Sequence, residues 1–202
     1  MEFERLVETR RSFEEFEDKE VPREKIERAV GRAVRAPTAF NLQPYRFKVL
    51  ESRESFEKAE KAATAGNKWI TRGDKIVVLL ADERIDTGMG KALDDMVEKG
   101  FIDRETAKNY RERISGYSEA GEPFMTGWLT RNTMIPFSFL MLALWDEGVG
   151  SHPVRGFSQE KLSDELDLKE HWRPMMLLVI GYPSGEQPEK WRKDTSEILD
   201  FV

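Results

Sequence analysis

The sequence predicts an α+β domain in which a few buried strands lie between helices, and three observations carry that expectation. Two continuous apolar runs bounded by breakers, KIVVLLA at 75–81 and MMLLVIGYP at 175–183, read as central strands covered on both faces. Stretches with apolar residues at three- and four-residue spacing recur around them and read as helices with one buried face. The chain of 202 residues is 39% hydrophobic, enough for one sizeable core, so a single domain over 1–202 is expected, without repeats or linkers.

The elements follow in order. RRSF, Arg10 to Phe13, closes a first helix. In PREKIERAVGRAVRA, Ile26, Ala29, Val30, Ala33 and Val34 share one helix face, with Pro22 suited to the first turn. This helix must end near Ala36, because Pro37 disfavours the helical conformation in the residue before it. YRFKVL at 45–50 alternates as a strand does, and Ser52 opens a helix through SRESFEKAEKAA. Further helices are expected at about 86–99, at about 103–114 and across WLTRNTMIPFSFLMLALWDEG, the last interrupted at Pro136. Phe157 and Leu162 form a hydrophobic staple around Ser158, which starts another short helix.

Composition excludes several function classes. Charged residues make up 35% of the chain, but the signs are interspersed and the net charge is -6, which argues against a general binder of nucleic acid or anionic membrane. No apolar run approaches the roughly 18 residues of a membrane span, and MEFERLVETRRSF lacks a signal-peptide core, so a cytoplasmic protein is expected. Cysteine is absent, which removes thiolate metal sites, disulfides and cysteine nucleophiles. His152 and His171 lie far apart, and no metal centre is expected.

Against this charged background, RAPTAFNLQPYRF at 35–47 holds an almost neutral passage between Pro37 and Pro44. Thr38, Asn41 and Gln43 offer neutral donors and acceptors there, as the wall of a site or as a capped turn. Three other clusters allow a similar choice. Arg10, Arg11 and Ser12 suit a phosphate, or simply a solvated helix end whose cations offset the dipole. GVGSHPVRGF, with its glycines, lets backbone amides approach a flat ligand, or makes a plain helix-to-loop turn. KWRK at 190–193 is a second basic cluster, which on its own reads as surface charge.

In this order the clusters resemble the FMN-dependent nitroreductase family. RRSFEEF is similar to that family's Arg-Arg/His-Ser opening, and APTAFNLQPYRFKVL to its Ala-Pro-Ser-x-x-Asn-x-Gln-Pro-Trp segment. GNKWITRGDKIVVLL, the stretch from Trp128 to Asn132, GVGSHPVRGF with LLVIGYP, and Lys190-x-Arg192 extend the resemblance over nearly the whole chain. The resemblance implies a three-layer sandwich, its central and mostly antiparallel sheet flanked by helices, in an intertwined homodimer. It implies phosphate contacts from Arg10, Lys190 and Arg192 with Ser12 nearby, and an FMN contact at Arg11. Pro37, Thr38, Ala39, Asn41 and Gln43 would line the flavin pocket at the dimer interface, and Asn67 would bond the ribityl chain or ring edge. Pro153, Val154, Arg155 and Gly156 match the loop whose backbone amides face the flavin N5 and O4.

The activity so implied takes hydride from NADH or NADPH and passes electrons, by a ping-pong mechanism, to a nitroaromatic, quinone, activated alkene or flavin. No side chain acts as catalytic acid or base. The alternatives are a non-catalytic flavin-binding or flavin-delivery protein, and an interaction protein without cofactor. Five departures stand out: Glu14 where the family commonly has a cation, Ile70 where it has a second lysine, Thr38 for Ser, Tyr45 for Trp, which preserves a flat wall, and Arg155 for a residue often acidic or small. Arg11 or Arg72 would have to replace the missing charge near the flavin N1 and O2, and Arg155 faces either an acidic acceptor or solvent.

Overall fold

Period-two alternation sorts the buried strand residues onto two faces, and each face selects its own helices. The computed structural model describes residues 1–64, 70, 72–185 and 189–202, with the backbone alone at 85, 86, 118 and 119. Its strands are β1 (Tyr45–Leu50), β2 (Lys75–Asp82), β3 (Gly150–Val154) and β4 (Trp172–Gly181). Its helices are α1 (Phe3–Thr9), α2 (Arg23–Ala33), α3 (Arg53–Ala62), α4 (Ile85–Glu98), α5 (Arg104–Glu119), α6 (Glu122–Asp146) and α7 (Gln159–Glu165).

The four strands run in the order β1-β2-β4-β3, and every neighbouring pair is antiparallel. Ile76, Val78, Leu80, Leu177 and Val179 face Phe56, Ala59 and Ala62 of α3 and Leu162 of α7. Val77, Leu79, Leu178 and Ile180 face Ile26, Ala29 and Ala33 of α2 and Phe137, Leu140 and Leu144 of α6. The expected layering of helix, sheet and helix is therefore present. A further cluster ties α4 and α5 to the first half of α6, with Met89, Leu93, Ile114, Trp128 and Leu129 at its centre.

Both side-chain caps appear where the sequence placed them. Ser52 accepts from the Ser55 amide in a capping box, and Ser158 accepts from the Lys161 amide at 3.3 Å. Phe157 and Leu162 are buried in one cluster, as the staple requires.

Other elements differ from expectation. Pro22 is the N-cap of α2 rather than part of its first turn, and Val34, assigned to the buried face, lies past the helix end and is exposed. GVGSHPVRGF is not all loop: residues 150–154 pair with β4 from Gly150↔Gly181 to Val154↔Leu177. Pro153 is compatible with this strand because β3 lies at the sheet edge. A side chain at Gly150 would meet Pro183 Cγ at 2.6 Å and Phe13 Cδ2 at 2.8 Å, so the glycine serves close approach.

α6 begins at Glu122, six residues before the expected start, and continues through Pro136. A proline inside a helix costs about 3 kcal/mol. Here Leu129, Phe137 and Leu140 are buried on either side of it, so packing holds both halves in one helix.

The segment after α1 extends the sheet edge. Ser12 bridges Ser151 in parallel, the Phe13 amide donates to the Ser151 carbonyl at 3.1 Å, and the Glu17 amide donates to the Tyr182 carbonyl at 2.8 Å. This pairing brings the RRSF stretch alongside β3, and with it two of the four clusters marked in the sequence.

Candidate functional site

Cations from opposite ends of the chain converge at the end of α1. Arg10 is its C-cap residue and is half-buried; Lys190, in the tail, donates to the Val7 carbonyl at 3.4 Å. Arg11 donates to the Glu8 carbonyl at 2.6 Å and Arg192 to the Trp191 carbonyl at 2.7 Å. Burial first, then Arg192 and Arg11, hold the Arg10 guanidinium below its usual value. Burial, then Arg11, Arg10 and Arg192, do the same to the Lys190 ammonium.

Among the described residues, no carboxylate stands among the groups that shift either one. Like charges held together without a counterion destabilise each other until an anion arrives. A solvated helix end would spread these side chains apart, whereas here the two basic clusters act on one another. Ser12 is exposed beside them, held by its bridge to Ser151.

Beyond Ser151, the same strand leads to the 153–156 stretch. Val154 is buried in the core on the α3 side, so of this residue only the main chain is left to serve a ligand. Pro153 is half-buried and Arg155 is exposed. The Gly156 carbonyl accepts from the Thr64 amide at 2.9 Å, and Ala63 bridges Phe157, so the turn is held to the end of α3.

His152 lies between these two parts of the edge, its Nδ1 3.0 Å from the Phe13 carbonyl. A carbonyl can only accept, so Nδ1 carries the proton. Burial lowers the His152 pKa, against the opposing effects of that bond and of Glu14.

The neutral passage is built elsewhere, between α2 and β1. Its backbone takes the left-handed conformation at Phe40 (φ 52°), Asn41 (φ 54°) and Gln43 (φ 47°), without a glycine among them. Such residues cost roughly 1 kcal/mol or more each and persist only where their surroundings hold them. The holding groups are visible. The Ala39 amide donates to Asn132 Oδ1 at 2.7 Å, while Asn132 Nδ2 donates to the Trp128 carbonyl at 2.9 Å. Thr38 Oγ1 accepts from the Gln43 amide at 3.1 Å, and Gln43 Nε2 donates to Asn41 Oδ1 at 3.2 Å.

Pro37, Asn41 and Gln43 border an open cleft of about 640 Å³, whose other side is Ala92, Met96 and Phe101. Thr38 and Ala39 are half-buried behind it. Among the described residues, no hydrogen bond joins this passage to the cations or to β3. The cleft it borders likewise has none of those residues in its described lining.

The departures can be placed as well. Ile70 is fully buried in the α3-side core and cannot serve the site that a lysine would serve. Arg72 donates to the Glu14 carbonyl at 3.5 Å, which brings a cation to the segment beside β3. Glu14 is exposed. Tyr45 is half-buried: its ring packs against the α2-side core, 5.6 Å from Phe47, and its hydroxyl is buried without a partner among the described residues. Burial accordingly raises the Tyr45 pKa. Asn67 lies outside the described residues.

Two residues of the site escaped the sequence reading. Asn132 is polar within an apolar helix, a signal that could have marked it as an anchor. His152 was weighed only as a metal ligand, and its contact with Phe13 depends on the pairing of distant segments.

The nitroreductase family model matches residues 7–182. A protein of Thermus thermophilus named NADH dehydrogenase is 28% identical over 179 residues, covering 88% of this chain and 84% of its own. YodC of Bacillus subtilis, a candidate NAD(P)H nitroreductase, is 27% identical over 178 residues, 87% of each chain. A candidate nitroreductase of Exiguobacterium sibiricum, solved in complex with FMN, superposes with a TM-score of 0.88 at 21% identity, covering 100% of this chain and 98% of its own.

Proposed function

The chain belongs to the nitroreductase family of oxidoreductases, and on that premise we propose that residues 1–202 act as one FMN-binding unit of an NAD(P)H-dependent oxidoreductase. The observation that carries this reading is the convergence of Arg10, Arg11, Lys190 and Arg192, with no carboxylate, among the described residues, in the groups that shift Arg10 and Lys190. A phosphate dianion would offset the burial, and after it the repulsion, that depress Arg10 and Lys190, so the donor set suits the phosphate of FMN. Charge alone would suit other phosphates too. The neutral passage and the main chain at 153–156 favour a ligand with an uncharged polar body. The FMN complex of the Exiguobacterium protein, of the same fold, agrees with that choice.

When bound, the flavin would take hydride from NADH or NADPH and pass electrons to a small-molecule acceptor, a nitroaromatic, quinone, activated alkene or second flavin, in a ping-pong cycle. The chain's own part is to hold and orient. Arg10, Arg11, Lys190 and Arg192 would fix the phosphate, and Ser12 would lie beside it. The amides at 155 and 156 would serve as fixed donors toward the ring, and Thr38, Asn41 and Gln43 as neutral partners for its polar edge. Positioning of this kind makes the transfer effectively intramolecular, which is the main help a protein gives such chemistry.

Because among the described residues the neutral passage shares neither a hydrogen bond nor a cleft with the cations, we propose a homodimer in which each site is completed by the passage of a second copy. Apolar surface supports it. Ile135 and Phe139 are 40% and 43% exposed on α6, and the tail carries Trp191, Ile198 and Phe201 at 76%, 69% and 91% exposure. Contact with a second copy would take such apolar area out of water.

The visible spectrum of purified protein tests the function. A yellow protein that bleaches on anaerobic addition of NADH or NADPH is expected. A yellow protein that neither nucleotide bleaches would instead be a flavin carrier, and one that stays colourless with added FMN would refute the reading. Sedimentation tests the assembly: a monomer retaining one FMN per chain would exclude the shared site.

A further inference from the structure

β4 is ten residues long, but the edge strand β3 pairs only with its second half, from Leu177 to Gly181. Where β3 stops, the first half of β4 has an open flank, and a cavity of about 630 Å³ lies there. Its walls are Met134 and Thr130 of α6, Phe157 and Arg155 of the turn after β3, and Met175 and Met176 of β4.

Consecutive strand residues normally point to opposite faces. Here the register shifts, from Leu79↔Met176 to Leu80↔Pro174, which leaves Met175 as the extra residue of a bulge. The bulge lets both methionines line the same cavity. Gln159 Nε2 donates to the Pro174 carbonyl at 2.6 Å and holds the bulged strand to the start of α7.

The polar groups around this cavity are engaged, with one exception. Arg173 pairs with Glu83 at 2.7 Å and Glu122 at 3.1 Å, and it donates to Thr126 Oγ1 at 2.7 Å. Thr126 donates in turn to Glu122 at 2.6 Å, and Thr130 donates to the Thr126 carbonyl at 2.7 Å. The Arg155 guanidinium has no carboxylate or hydrogen-bond acceptor among the described residues, and no carboxylate lines the cavity. A chamber of this size, with Met134, Phe157, Met175 and Met176 beside one guanidinium uncompensated among the described residues, fits a small molecule with an apolar body and one acidic group. Methionine walls adapt to the shape of such a body.

We propose that this cavity binds the electron acceptor, and that the acceptor is an organic acid whose carboxylate pairs with Arg155. This rests on the flavin reading for the word acceptor, but binding of the acid does not depend on it. Arg155 would then set specificity through its side chain, while its main chain remains part of the loop beside the flavin.

The test uses 4-nitrobenzoate and its neutral analogue 4-nitrobenzamide, with calorimetric binding to the whole protein, both as isolated and saturated with FMN. Wild type should prefer the acid by about tenfold, the usual scale of one charge-assisted pair. Arg155→Met should bring the acid-to-amide ratio close to one, and Arg155→Lys should restore part of it. The ratio is the readout because a general loss of structure weakens both probes alike. Thr130→Phe, which fills the chamber from its α6 wall, should weaken both probes while flavin absorbance is retained. An acid-to-amide ratio near one in wild type, or a preference unchanged by Arg155→Met, would overturn the proposal. So would acid binding that FMN saturation abolishes, since the cavity would then be the cofactor's own. Failure of the protein to take up FMN would remove the flavin reading, yet leave the binding ratio to judge the acid site.

Discussion

Replacing Arg192 with alanine separates two consequences of the cation cluster. Arg192 lowers the pKa of both Arg10 and Lys190, so its removal relieves repulsion in the protein without ligand. The same removal deletes one charge-assisted contact to a bound phosphate, worth about 1.5–3 kcal/mol. FMN affinity should therefore fall by one to two powers of ten, roughly. Thermal stability of the flavin-free protein should stay the same or rise slightly. Riboflavin, which has the ring and ribityl chain but no phosphate, should lose much less. Fluorescence quenching titrations with both flavins at matched salt provide the measurement, with melting of the flavin-free variant alongside. Equal losses for FMN and riboflavin would show that Arg192 acts through folding or through the ring. A fall in the melting temperature of the flavin-free variant would refute the idea that the cations repel one another.

Three further outcomes are expected. Tyr45→Phe deletes a buried hydroxyl that has no partner among the described residues, so it should stabilise the protein by up to about 1 kcal/mol, a rise of about 2–4 °C in melting temperature; a lower melting temperature would show that the hydroxyl is bonded. Asn132→Leu leaves the Ala39 amide without its acceptor; a cost of about 1–3 kcal/mol and weaker FMN binding are expected from denaturation and titration, and unchanged FMN affinity would mean that the neutral passage needs no anchor. His152 has a folded pKa below its ordinary 6.5, chiefly from burial, so the unfolded chain takes up its proton first. The stability it contributes is full above 6.5 and is lost as pH falls from there through the folded value. Denaturation midpoints of His152→Gln should vary less with pH across that acid window, and a slope equal to wild type would refute the assignment.

Much of this molecule was legible in the sequence, for local reasons. Ser52 and Ser158 cap the helices they precede because capping joins a side chain to an amide three residues on. β2 and β4 announced themselves as unbroken apolar runs because both their faces are covered, by α3 and α7 on one side and by α2 and α6 on the other. The order of RRSF, APTAFNLQPYRF, GVGSHPVRGF and KWRK pointed to the family, since a motif order survives where overall identity has fallen below 30%.

What only the tertiary structure decided is nonlocal. β3 was hidden because Gly150 and Pro153 carry poor strand signals, and the strand exists through its pairing with β4. Pro136 looked like a break because the sequence shows the lost hydrogen bond but not the packing of Phe137 and Leu140 that outweighs it. Ile70 sat at a position that matched a site residue, yet its side chain is buried among core residues, and Tyr45 packs half-buried against the core. The separation of the neutral passage from the cations, and the bulge that lets Met175 and Met176 line one chamber beside Arg155, depend on how distant strands register. Register is set by the summed burial of whole faces, and no local run of residues states that sum.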